Sequence, residues 1–313
     1  MRILNIYRLS LILLFILAFG AGLATFLENF YDTQTARVLV YEALWYECVM
    51  FACTICLAIS IVKTKMYKKF GAFLIHLAFI VIFIGAALTR YFGEEGVMHL
   101  RTLQSSNVMQ SVKPYLRVEM LGENFSYPLK LSLFGKNDFE FKNFIDGKEF
   151  IINLLGYKKD EKNAPATLSL EISFNGEKKS VKLKGGAGYE LEPSVLSFGG
   201  QEVKFYFSSK ALNLPFSLKL DEFILERYAG LNSPSSTSKV SISGGKYDIS
   251  LNNPLTIDGY KIFQSSYDPD ELGSAFEISR DPGKIPTYIG YFLLCLGFVA
   301  NLFSKNSRFF RLL

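Results

Sequence analysis

Residues 63–90 read KTKMYKKFGAFLIHLAFIVIFIGAALTR. A turn with four lysines is followed by an apolar run long enough to cross a bilayer, where roughly 20 apolar residues at 1.5 Å each span the hydrocarbon. Three more runs of this kind lie at 9–27, 44–62 and 286–303. Half of the 313 residues are apolar, and they are concentrated in these four segments. The reading is a membrane protein of four transmembrane helices, with a large external, mainly antiparallel β domain inserted between the third and fourth. The expected divisions are 1–90, 91–284 and 285–313.

Positive flanks stay on the cytoplasmic side of a membrane. Arg2 and Arg8 precede the first run, Lys63, Lys65, Lys68 and Lys69 separate the second from the third, and Lys305, Arg308 and Arg311 follow the fourth. The loop after the first run carries Glu28, Asp32, Glu42 and Glu47 against Arg37. Both termini are therefore expected in the cytoplasm and the middle domain outside. Residues 91–284 hold 23 Lys and Arg against 25 Asp and Glu, a net of −2, and the remainder holds 11 against 4, a net of +7. The overall basic balance thus reflects topology and gives no reason to expect nucleic acid as a partner. Gly22-Leu23-Ala24 imitates a signal cleavage site, but the run before it is long for a signal core and its removal would leave the lysine turn on the wrong side.

The middle segment reads as strands: 115–121, 130–134, 149–155 and 204–208 are short β-branched or aromatic runs. Two hairpins are better marked, 168–174 with 179–184 around Asn175-Gly176, and 239–243 with 247–251 around Gly244-Gly245. The stretch NSPSSTS at 232–238 reads as an exposed loop. A sandwich or open barrel accommodates this pattern.

The four cysteines, Cys48, Cys53, Cys56 and Cys295, lie in or beside the apolar runs, so the outer domain is built without disulfides. Cys53-Thr-Ile-Cys56 is followed by Leu57 and is not a haem-attachment CxxCH. Two small residues on one face of a packed helix account for it, and a working thiol pair is the alternative. No Ser-His-Asp set, phosphate loop or paired-carboxylate site is recognisable.

There are two histidines. His76 lies six residues into the third run, roughly 9 Å inside the boundary, where a polar ring is costly unless it has a task. Its apolar setting favours the neutral imidazole, whose lone pair can bind a metal. Zinc needs several converging ligands, whereas haem iron needs one or two and brings its own apolar macrocycle. Haem ligation, a hydrogen bond between helices and a proton relay all remain open on these grounds. His99, in EEGVMHLR, reads as a solvated or hydrogen-bonded structural residue. In an unbroken helix 23 residues separate the two by about 34 Å, so they do not share one iron.

Five stretches resemble the ResB/CcsB family of System II cytochrome c biogenesis, and most closely the CcsB half of fused CcsBA proteins: GAGLATFLENFYDTQTARVLVYEALWYE at 20–47, HLAFIVIFIGAALTRYFGEEGVMHLR at 76–101, LPFSLKLDEFILERYAG at 214–230, DGYKIFQSSYDPD at 258–270 and ISRDPGKIPTYIGYFLLCLG at 278–297. The resemblance implies a bacterial inner-membrane protein whose large domain is periplasmic. It implies His76 as an axial ligand to the iron of haem b arriving from the cytoplasmic side, with the opposing ligand on a CcsA/ResC-type membrane partner. The implied task is to bind haem and help deliver it for covalent attachment to apocytochrome c, either without catalysis of its own or as part of a holocytochrome c synthase. The alternative is a haem-free scaffold that holds apocytochrome and stabilises the CcsA/ResC partner. The CcsA half, with its Trp-rich external segment, has no counterpart in a sequence whose one tryptophan is Trp45, so the expectation is a subunit.

Overall fold

The computed structural model describes residues 3–145, 147–161, 164–189, 191–226 and 235–304. Arg2, Lys305, Arg308, Arg311 and 232–234 of the expected loop lie outside them. Among the described residues, four helices are long and apolar enough to cross a membrane: α1 (Ile3–Phe30), α3 (Leu44–Lys63), α4 (Phe70–Phe92) and α5 (Lys284–Leu302). Between α1 and α3 a short α2 (Thr33–Ala36) runs into a π-helical turn, Arg37–Tyr41. Asp32 caps α2 by accepting from Thr35 N at 2.7 Å. A π turn leaves carbonyls without their usual partners, and here Trp45 Nε1 donates to Leu39 O at 2.9 Å while Arg90 donates to the carbonyls of Tyr41 and Glu42.

The chain forms two units, Met1–Gly93 with Asp281–Leu313, and Glu94–Arg280. In the first, α4 and α5 run antiparallel with backbones in close approach. Gly71, Ala78 and Gly85 repeat every seven residues on α4, and Gly283, Gly290 and Gly297 do so at and along α5. A methyl added at Gly283 would lie 2.0 Å from Gly85 O, and one at Gly297 would lie 2.9 Å from Ile75 N. Small residues at heptad spacing let membrane helices pack at this range. Asp281 Oδ1 fixes one end, accepting from Gly283 N at 3.0 Å and Thr89 Oγ1 at 2.5 Å. Leu17, Cys53 and Leu57 pack with Phe79, Ile80 and Phe83 on the opposite face of α4.

The second unit has fourteen strands among its described residues: β1 (Glu94–Arg101), β2 (Ser105–Met120), β3 (Glu123–Pro128), β4 (Glu140–Ile145), β5 (Lys148–Lys158), β6 (Ala166–Phe174), β7 (Glu177–Gly185), β8 (Ser194–Phe198), β9 (Gln201–Glu226), β10 (Ser235–Ile242), β11 (Gly245–Ser250), β12 (Leu255–Ile257), β13 (Tyr260–Tyr267) and β14 (Gly273–Arg280). One sheet has the order β11-β10-β9-β2-β1-β14-β13-β12, with β3 added to β2 and β8 to β9, and the other is β4-β5-β6-β7. Every pairing is antiparallel. Among the described residues, two-residue turns with positive φ at both positions close five hairpins: Leu121-Gly122, Asn175-Gly176, Gly199-Gly200, Ser243-Gly244 and Asp258-Gly259. Such turns match the twist of the strands they join.

Two cores result. Leu116, Val118 and Met120 of β2 with Val203, Phe205 and Phe207 of β9 face the four-stranded sheet, making a sandwich. Further along, Met109 of β2 and Leu214, Phe216, Leu218 and Leu220 of β9 join Leu100, Ile262, Phe276 and Ile278. Odd-numbered residues of β9 enter the first core and even-numbered ones the second, so the cores lie on opposite faces of one ribbon. Around the second core the sheet curls until β11 approaches β12 and β13. Both the sandwich and the open barrel are present.

Three local expectations are corrected. Residues 130–134 form no strand: Ser132 N donates to Asn137 Oδ1 at 2.7 Å and Asn137 Nδ2 returns to Ser132 O at 2.7 Å, so a loop buries Leu129 and Leu131 without a ladder. Residues 235–238 open β10 rather than a loop, and Ser238 is fully buried with its Oγ donating to Ser274 Oγ at 2.9 Å. The hairpin expected at Gly244-Gly245 turns at Ser243-Gly244, because Ile242 pairs with Gly245.

Candidate functional site

His76 is half-buried on α4. Its Nδ1 lies 2.9 Å from Ala72 O, one turn back in the same helix. A carbonyl only accepts, so Nδ1 carries the proton, and in the neutral tautomer this selects it is Nε2 that holds the lone pair. The ring's bond is therefore within its own helix and not between helices. Spacing places His76 on one stripe with Phe79, Ile80 and Phe83, whose members pack on Leu17, Cys53 and Leu57. The result is a single imidazole whose Nδ1 is engaged by its own helix and whose Nε2 is left for another partner, in an apolar setting. No group of three or more His, Cys, Asp or Glu side chains suited to a metal ion forms among the described residues. Such a residue can supply one axial ligand to a metal whose other positions are already filled, which fits haem and not a bare ion.

At the lysine-bearing end of the same helices, Ser60 Oγ of α3 is buried at 2% exposure and has no hydrogen-bond partner. At the opposite end, Arg90 of α4 pairs with Glu47 at 2.9 Å. Glu28 accepts from Thr33 Oγ1 at 2.7 Å. All four cysteines are free thiols: Cys53 is buried, Cys56 half-buried, and Cys48 and Cys295 exposed.

The second unit brings together residues that no local pattern joins. His99 of β1 places Nε2 2.8 Å from Asp268 Oδ1, just past β13. Arg101 Nη1 donates to Asp268 Oδ2 at 2.6 Å, and the same guanidinium forks onto both oxygens of Asp270 at 2.9 and 2.6 Å. Arg101, then His99, hold the Asp268 carboxyl below the usual carboxylate range, and Arg101 does the same to Asp270. His99 is thus hydrogen-bonded, and the stretches EEGVMHLR and SSYDPD form one cluster.

Gln264, in the middle of DGYKIFQSSYDPD, is buried. With its amide oriented to satisfy both ends, Nε2 donates to Ile249 O and Ser236 O at 3.1 and 3.2 Å, and the oxygen accepts from Ser236 Oγ at 3.1 Å. It links β13 to β10 and β11, closing the barrel side to side. The sequence signal for this was a lone glutamine continuing the inward alternation of Tyr260 and Ile262.

Residues 187–275 match the ResB-like family. Protein NrfI of Wolinella succinogenes is 36% identical over 322 aligned positions, which cover 98% of this chain and 36% of that protein. The chain therefore spans about a third of the length of this relative.

Proposed function

The chain is ResB-like, and from that premise we propose that it acts in cytochrome c biogenesis as the membrane component that receives haem b at His76 and passes it to a CcsA/ResC-type partner for attachment to apocytochrome c. Haem here is cargo. The reading is supported above all by the tautomer of His76: with Nδ1 committed to Ala72 O, Nε2 is the atom free to bind iron. The Nδ1 bond also fixes the ring plane, as second-shell bonds do for metal-binding histidines. The lysine asymmetry supports a cytoplasmic turn at 63–69, both termini inside and a periplasmic β unit in the inner membrane. The rival scaffold, in which His76 is bonded between helices, has less support because the bond is to the ring's own helix.

The test is the absorption spectrum and haem stain of the purified full chain. A haem band is expected that disappears in His76→Ala and persists in His99→Ala, whose ring is engaged by Asp268. A band retained in His76→Ala overturns the assignment.

A further inference from the structure

We propose that the lysine turn before α4 receives the propionate carboxylates of the haem that His76 ligates; this rests on the haem reading above. Lys63, Lys65, Lys68 and Lys69 are exposed. No carboxylate pairs with them among the described residues, and no Asp or Glu occurs from 48 to 93. The contrast is with Arg90 at the other end of α4, which is occupied by Glu47 and two carbonyls.

Spacing gives the cations a direction. Lys69 is the N-cap of α4, and its carbonyl accepts from Phe73 N at 2.9 Å, so its Cα is on the helical cylinder. It precedes His76 by seven residues, which is about two turns, roughly 10 Å of rise and the same face to within about 20°. On the strip between them stands the half-buried Ala72, whose side chain is a single methyl and whose carbonyl holds the His76 ring.

Two further observations favour an anion at this end. α4 starts without a side-chain cap, so no capping side chain offsets the positive end of its dipole. On α3 the buried Ser60 hydroxyl has no acceptor. A ligand matching this arrangement is flat and apolar, binds a nitrogen lone pair at its centre and carries carboxylates along one edge. Lysine stems can lie along the apolar surface while their ammonium groups meet those carboxylates at the water boundary.

The experiment titrates the purified full chain, in zwitterionic micelles, with hemin and with hemin dimethyl ester, whose propionates carry no charge. Wild type is expected to bind hemin about three- to tenfold more tightly than the ester, the range expected for one or two partly solvated charge-assisted contacts. Lys69→Gln should reduce that preference and leave the absorption band of the bound haem unchanged, because iron ligation is untouched. Equal binding of hemin and ester by wild type overturns the propionate contact while a His76-dependent band preserves the haem reading. Absence of any His76-dependent band overturns both. A Lys69→Gln loss equal for the two porphyrins also refutes the contact, and a preference that vanishes only when anionic lipid is added assigns the lysines to lipid headgroups instead.

Discussion

His99 and Asp268, 169 residues apart in the sequence, meet at 2.8 Å between Nε2 and Oδ1. The other oxygen of the same carboxylate takes Arg101 at 2.6 Å, so one aspartate fastens β1 to the turn between β13 and β14. The folded pKa of Asp268 lies below its unfolded value. Its contribution is therefore present above the ordinary carboxylate pKa, near 4, and is lost as pH falls through the lower folded value. Asp268→Asn should cost about 1 kcal/mol at pH 7, as expected for a partly solvated charged pair, and less at an acid pH below that lowered folded value. Thermal melts of the full chain in detergent at both pH values check this. An equal deficit at both would show that the carboxylate charge is not what matters.

Gln264→Leu should be destabilising although leucine suits the surrounding core. It strands Ile249 O, Ser236 O and the Ser236 hydroxyl, and a buried polar group left unpaired costs about 1–3 kcal/mol. Ile262→Leu in the same strand, a volume-conserving change, should cost less than about 1.5 kcal/mol. Urea titration of the two variants ranks them, and the reverse order would remove Gln264 from the barrel closure.

In the membrane unit, Gly283→Val should weaken the α4–α5 pair by about 1–3 kcal/mol or more, since the added group meets the Gly85 carbonyl, a backbone atom that cannot rotate away. Gly22→Ala, with nothing within 4 Å of the added methyl, serves as the control and should be tolerated. Melting temperature in micelles distinguishes them, and equal behaviour would argue against backbone contact.

A single histidine offered by this chain leaves the far side of a bound haem to water or a small exogenous ligand. The isolated chain should give a five-coordinate or weakly six-coordinate spectrum, and adding a CcsA/ResC-type protein should turn it low-spin. A stable bis-histidine spectrum from this chain alone, abolished by His99→Ala, would refute the assignment.

Sidedness is open to labelling with an impermeant thiol reagent in a background free of the native cysteines. Lys68→Cys and Lys178→Cys are suitable because both avoid the left-handed positions Lys65 and Asn175. In spheroplasts only position 178 should react, and labelling at 68 would invert the orientation.

The four spans were legible because a bilayer demands one property, apolar length, that any window of sequence reveals. Asn175-Gly176 was equally plain, since few residue pairs tolerate positive φ at both positions. Ser243-Gly244 was missed by one residue because the competing Gly244-Gly245 satisfies the same backbone rule, and only the partner strand decides. The hydroxyl residues at 235–238 suggested a loop, yet Ser238 is buried with its hydroxyl donating a hydrogen bond to Ser274, far along the chain. The same reason hid the Asp268 and Gln264 contacts: each depends on which strands become neighbours after a long excursion. His76 was conspicuous as a polar residue in an apolar run, while its tautomer required the position of the Ala72 carbonyl.

The ribbon of β2 and β9 enters both cores, one on each of its faces. Neither half can therefore melt on its own: loosening the sandwich would free the strands that carry Leu116 and Phe205, and the same strands hold Met109 and Leu218 in the barrel. Amide exchange in the paired stretches of β2 and β9 should then be the slowest in the unit and similar in the two cores, which would make this pair of strands its mechanical spine.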